Sequence, residues 1–389
     1  MIVNRRRVMG NTEQETLPYL KFTALEDGTF KHNTDDLEYS LDNGNTWTTL
    51  AANTDSPTVT AGNSILWRGT MTPGNKNQYF VATGRFDASG NPLSLEYNND
   101  FVGAVCVNYQ FYKLFQNCTT LVNAKDLIIP DNFNAKTHIC MRMFEGCTSL
   151  ISVPELPALT LTGNCYSYMF SGCTSLITPP SISATTLANN CMPHMFENCS
   201  ALTSAPSLPV TTLANNCYHN MFYGCSSLTT PPALPATTLV NSCYDNMFTN
   251  CTSLTSTPII APTTVAKQCC RCMFSGCKSI TSFNVSLPAT TLYELCYARM
   301  FQGCKEMVTA PFLPAFTLVE KSYYCMFYGC TKLDYIKALF TDASATACLE
   351  NWVSGVASSG TFVKNANSTF STRGASGIPT NWTIETASE

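Results

Sequence analysis

Apolar and polar positions along the middle of the chain repeat with a period of about 26 residues, and each period has the same internal texture. Asn215–Leu239 reads NNCYHNMFYGCSSLTTPPALPATTL: an apolar Cys-Tyr pair, two variable residues, an apolar Met-Phe pair, two more residues, then a cysteine. That last cysteine forms a column at 118, 147, 173, 199, 225, 251, 277, 304 and 330. The steps are 26 residues except for 29 between Cys118 and Cys147 and 27 between Cys277 and Cys304, which read as loop insertions. One block buries too little to fold alone, so the pattern predicts coils that gain stability by stacking on their neighbours.

Within each coil the spacing predicts a short helix and a short parallel strand. Cys165, Met169 and Cys173 stand at i, i+4 and i+8, one face of a helix. The residue before each column cysteine is glycine (146, 172, 224, 276, 303, 329) or asparagine (117, 198, 250), the types that accept a left-handed backbone, so each helix is expected to end there. Leu150, Leu176, Leu202, Leu228 and Leu254 follow three residues after the column and start a strand. Pro154, Pro180, Pro206, Pro232, Pro258 and Pro311 follow at seven and lack the donor a ladder needs, which limits pairing to three or four residues per coil. The fold class expected is an α/β solenoid, a right-handed stack of nine coils, preceded by a small all-β domain.

Residues 17–101 lack the repeat and alternate strand-like runs with turn signals, which predicts a small β-sandwich-like domain. Within it Ser40, Asp42, Gly44, Thr46 and Trp47 match the S-x-D-x-G-x-T-W pattern of an Asp-box, a β-hairpin turn resembling those of sialidases. A single copy reads as a structural hairpin, with Trp47 packed beneath it. Residues 1–16 form a basic arm, 102–337 the repeats, and 338–389 a terminal segment whose Trp352, Phe362 and Trp382 are expected to cover the last coil.

The repeated string MFxGCTSLTxxPxLPATTLxxxCY resembles the BspA-type leucine-rich repeats of Bacteroides-group bacteria and of their phages, the crAss-like phages included. The resemblance spans about residues 106–337 and implies a solenoid that serves adhesion or protein interaction.

Composition then narrows the function. Charged residues are 12% of the chain and the net charge is -4, so the basic stripe of a nucleic-acid binder is missing. No apolar run approaches a membrane span, so no membrane insertion is expected. The opening MIVNRRRVMGNTEQETLPYL has arginines without a following apolar stretch and does not read as a secretory signal. This favours a phage virion protein, assembled in the host cytoplasm, over a bacterial cell-surface adhesin. Twenty-one cysteines form an odd count, and pairs eight apart on a helix are too distant to bridge, so reduced thiol ladders are expected. Cys269, Cys270, Cys272 and Cys277 do not follow a zinc-finger spacing, and no metal or other cofactor is expected. His32, His138, His194 and His219 fall in different columns or domains, and no triad or phosphate loop is visible, so the chain reads as a non-enzyme.

The residues between the constant pairs change from coil to coil. Ser167, Tyr168, His194, His219, Asn220, Asp245, Asn246 and Arg299 therefore form the candidate binding surface, expected to face solvent. Solvent-facing positions also drift freely in any repeat, and the strand and proline face, with its threonine and serine rows, is the competing candidate. Expected partners are other virion proteins through the N-terminal arm and β domain, and a host surface protein or glycan through the repeats; a homo-oligomer stays open.

Overall fold

The structure, a computed structural model, describes residues 18–387 apart from 73, 75, 77, 102, 103 and 282. The basic arm of residues 1–16 lies outside the described residues. The strands of the N-terminal part are β1 (Leu20–Ala24), β2 (Phe30–His32), β3 (Leu37–Ser40), β4 (Thr48–Leu50), β5 (Ser64–Gly69), β6 (Phe80–Ala82) and β7 (Phe86–Gly90), followed by one helical turn, α1 (Ser94–Tyr97). Strand β8 (Leu121–Leu127) belongs to the first repeat. Together they build a six-stranded sheet in the order β4-β3-β5-β1-β7-β8, with β2 and β6 paired separately. Alternation explains the sheet: Leu20, Phe22 and Ala24 point inward from β1 while Lys21 and Thr23 lie outward.

Strand β8 runs parallel to β7, so the sheet of the β domain passes without a break into the repeats. The aromatic core crosses the same boundary. Phe22 packs edge-on against Phe80 at 4.9 Å, Phe80 stacks on Phe115 at 6.1 Å, and Phe115 stacks on Phe144 at 5.5 Å.

Where helices were expected, each coil carries a row of linked turns. In the coil of Cys173 the left-handed φ recurs at every fourth residue: Asn164 (58°), Tyr168 (57°) and Gly172 (74°). Alternate amides bond back three residues within the coil, as Ser167 N to Asn164 O, Met169 N to Tyr166 O and Cys173 N to Phe170 O. The intervening amides bond forward to the next coil: Tyr166 N to Cys191 O, Tyr168 N to Pro193 O, Phe170 N to Met195 O and Gly172 N to Glu197 O. Half of the row's amides are thus satisfied locally and half by the neighbour, as buried backbone requires. Every forward bond runs the same way, from amide in one coil to carbonyl in the following one.

The turn row buries its apolar residues as adjacent pairs. Cys165, Tyr166, Met169 and Phe170 are all fully buried, the pairs alternating with more exposed positions. Among the described residues α1 is the one α-helix. The phenylalanines of successive rows stack as a column, with ring centroids 5.5 to 5.9 Å apart from Phe115 to Phe327. The column cysteine donates its thiol to the phenylalanine carbonyl of the coil before: Cys199 Sγ lies 3.1 Å from Phe170 O, and Cys225 Sγ 3.0 Å from Phe196 O. All twenty-one cysteines are free thiols.

The strand side pairs less than expected. In the central coils it thins to isolated bridges such as Leu156 with Ile182, Ser204 with Thr230 and Thr238 with Thr264. Four-residue pairing appears only at the end, in β9 (Tyr335–Ala338), β10 (Thr361–Lys364) and β11 (Thr383–Thr386), a parallel sheet in the order β11-β10-β9. The prolines remove the donors that would lengthen the others. The turn row also continues past Cys330: Tyr323 N bonds Cys348 O, Phe327 N bonds Trp352 O, and Gly329 N bonds Ser354 O. Beyond that row Asn351 N meets Ser376 Oγ, Val353 N meets Ala375 O, and Trp352 Nε1 donates to Gly377 O at 2.7 Å.

Candidate interaction surface

The variable residues sit on one face of the turn rows, and the structure brings most of them together across coils. Tyr168 stacks on His194 with centroids 4.2 Å apart and planes within 7°, and the Arg142 guanidinium lies 4.2 Å over the other face of Tyr168's ring system. His194 meets His219 edge-on at 5.1 Å. His194 Nδ1 is 2.8 Å from Glu197 Oε2, and the Asn220 amide reaches the same ring at 3.2 Å.

One coil further, Asp245 is the hub. Arg271 donates to it through Nε at 3.0 Å and Nη2 at 2.8 Å, Asn246 Nδ2 donates at 2.9 Å, and His219 Nδ1 stands 3.4 Å away. The bond to Asp245 raises the Arg271 pKa. Arg299 is separate from this group; it lies 5.2 Å over the Tyr324 ring.

Two of the eight residues are not solvent-facing. Ser167 and Asp245 are each 1% exposed, because the two residues between the buried pairs are not equivalent. In these coils the left-handed residue turns outward and the one before it is tucked toward the next coil. The ladder's ionic contacts therefore tie coil to coil, and Tyr168, His194, His219 and Asn246 supply its open rim.

Sequence reasoning missed Arg142, Glu197, Arg271 and Tyr324, which complete this ladder. The signal was present: they occupy the same two columns, or lie three residues from a column member. Elsewhere, the Asp-box turn is built as expected. Ser40 Oγ accepts from Gly44 N at 2.8 Å, Asp42 accepts from Thr46 N at 2.9 Å and Thr46 Oγ1 at 2.7 Å, and Trp47 Nε1 donates to Gly44 O at 3.1 Å. These bonds hold the Asp42 carboxyl at about 2, below the usual carboxylate range. The Arg68 guanidinium covers Trp47 at 4.1 Å. Among the described residues no three His, Cys, Asp or Glu side chains are placed to hold a metal ion, and no helix is long and apolar enough to cross a membrane.

The family model of the BspA type leucine rich repeat region matches in overlapping stretches, 111–255, 167–307 and 241–344, with six copies. The chain belongs to the BspA-type leucine-rich repeat family. Its matched residues cover more than half of the sequence and coincide with the turn rows and their strand sides. No curated protein and no solved structure matches the chain. Repeats of this family provide a surface suited to protein–protein interaction or adhesion.

Proposed function

We propose that this BspA-type repeat protein is a phage virion component, a surface, fibre or tail-associated protein that presents its repeats for attachment to the bacterial host or to other virion proteins. The observation that carries an interaction role is the contrast within each turn row, where buried Cys-Tyr and Met-Phe pairs recur while the residues between them change. A constant scaffold with a varied face is what a recognition surface needs. The thiols support assembly in a reducing cytoplasm: all twenty-one cysteines are free, and so dense a set, exposed while the chain folds, is a hazard in oxidising compartments. A structural joint or decoration protein is the second reading, favoured by the cross-coil pair of Arg271 with Asp245, which ties neighbouring coils together with its charge already matched.

The test is binding of the full-length protein, labelled and kept reduced, to intact Bacteroides-group cells across a broad strain panel. Saturable binding that unlabelled protein displaces is expected. Its absence from every strain overturns host attachment and leaves the structural reading.

A further inference from the structure

The strand side carries a row of bonds of its own, each from an amide to a carbonyl of the coil before, and among the described residues that row lacks two links, Ile177 N to Ile151 O and Val308 N to Thr281 O. Thr203 N bonds Ile177 O, Thr229 N bonds Thr203 O, Thr255 N bonds Thr229 O and Thr281 N bonds Thr255 O, at 3.1 to 3.3 Å. The next link, from Val308 N to Thr281, is missing among the described residues, and the row resumes with Asp334 N to Val308 O at 2.9 Å. This is the step of 27 residues, where Asn284 replaces the column proline. The turn rows of the same two coils stay bonded, as Cys270 N to Cys296 O and Phe274 N to Met300 O show. The coils therefore splay on one side only.

The splay leaves a groove of about 280 Å³ lined by Thr281, Phe283, Val285, Val308, Ala310 and Pro311. Its rim is apolar, with Val308 49% and Phe312 46% exposed, where the four preceding coils carry threonine at the Val308 position and the coils of Cys147 and Cys173 carry Ile151 and Ile177. The position after the column cysteine is Thr148, Thr174, Ser200, Ser226 and Thr252 in the preceding coils, and Lys278 and Lys305 in the two coils that border the groove. Both lysines are exposed, and neither has a carboxylate partner among the described residues. Lys337 adds a third cation 5.2 Å from the Phe312 ring. Glu306 is already paired with Lys332, and Asp334 stands one coil further along.

We propose that this seam is a docking groove for an extended acidic peptide segment of a partner protein. An apolar side chain of the segment enters between Phe283 and Val308, its carboxylates meet Lys278 and Lys305, and a backbone carbonyl accepts the Val308 amide in the manner of strand addition. Apolar contact supplies affinity, and the unmatched lysines select the sign of charge. The inference rests on the reading of the repeats as an interaction surface and names one site and one partner chemistry for it.

The experiment is fluorescence anisotropy of the full-length protein with a labelled short peptide alternating Glu with Leu and Phe, beside the same peptide with Lys for each Glu. Wild type is expected to bind the acidic peptide saturably and the basic one weakly. The exposed double variant Lys278→Glu, Lys305→Glu should weaken acidic-peptide binding at least about tenfold and strengthen the basic peptide. Val308→Asp should weaken the acidic peptide with an unchanged unfolding temperature. Equal binding of both peptides to wild type, no saturation, or equal affinity of the charge-reversed variant overturns the groove. Cell binding that survives charge reversal also overturns it as the attachment site, while leaving host attachment itself intact.

Discussion

Asparagine and glycine share the position before the column cysteine, and the structure shows that they are not freely exchangeable. A Cβ added at Gly146, Gly224 or Gly276 would run into the side-chain oxygen of Asn117, Asn198 or Asn250 in the coil before. At Gly303 and Gly329 the nearest atoms are the previous coil's glycine backbone, at an ordinary 3.8 Å. An asparagine therefore needs a glycine after it in the stack, and in the sequence no column asparagine is followed by another. Gly303→Asn should be tolerated within about 0.5 kcal/mol, whereas Gly224→Asn should cost about 1–3 kcal/mol through overpacking, read by urea denaturation. Glu96 is the other residue with a distinct expectation. It is 7% exposed and hydrogen-bonded to Gln110 of the first turn row, and burial raises its pKa to about 7. A raised carboxyl stabilises the fold fully below its unfolded value near 4.5, and that contribution is lost as pH rises through about 7. Thermal unfolding should show Glu96→Gln gaining on wild type between pH 5 and pH 8, by up to about 2–3 kcal/mol; parallel pH profiles of the two proteins would refute it.

The turn row is the element whose type was least legible, for a definite reason. A repeat of four residues and a helix of 3.6 place Cys165, Met169 and Cys173 on one face equally well over so short a run. What separates them is the backbone of the residue two before the second member of each pair. Tyr166 and Phe170 are buried beside Cys165 and Met169, and residues that tolerate a positive φ recur three times per row, as Asn216, Asn220 and Gly224 do, rather than once at the end. In the coil of Cys225 that recurrence shows in the sequence as Asn, Asn and Gly, whereas other rows place Tyr168, His194, Cys272 or Arg299 at the same position and hide it; it marks a chain of turns, since a helix needs a left-handed residue only at its terminus. The strand side was over-predicted even with its prolines counted: three or four paired residues were expected per coil, and the central coils keep isolated bridges. Within the row, the phenylalanine column carries most of the contact. Phe222 is fully buried between Phe196 at 5.6 Å and Phe248 at 5.5 Å, so Phe222→Ala should cost about 3–5 kcal/mol, measured by chemical denaturation. A loss under 1 kcal/mol would mean that the column collapses around the gap.

Across the whole molecule, the period, the inward pairs, the β domain and the Asp-box turn were readable from residue type alone, because each depends on local spacing. The cross-coil ladder at Tyr168, His194 and Asp245 was readable only as a list of variable positions, since which neighbour each residue grips depends on how one coil is offset on the next. The thiols give a molecule-wide prediction. Burial raises Cys272 to about 11, and it is only half-buried, whereas the column thiols are wholly enclosed. Iodoacetamide at pH 8 should label the folded protein at few sites, Cys272 first, and reach all twenty-one cysteines only after unfolding, as intact mass would show. Rapid labelling of Cys199 or Cys225 without unfolding would contradict a closed stack.

The forward bonds of the turn rows also have an electrical meaning. In an ordinary parallel sheet successive peptide dipoles between two strands oppose one another, but along the turn rows the peptides that link the coils point their amides toward the C-terminal end and their carbonyls toward the N-terminal end, while the threonine row of the strand side points the other way. Each carries about 3.5 D, and aligned along a stack they add, as they do in a helix but with the opposite sense relative to chain direction. The N-terminal face is then the negative pole, met by the Phe80 amide donating to Leu114 O, and the C-terminal face is the positive pole, met by the oxygens of Ser376 and Ala375. On the turn-row side, a repeat added to the stack must therefore enter in the same sense, offering its amides to the coil after it and its carbonyls to the coil before it.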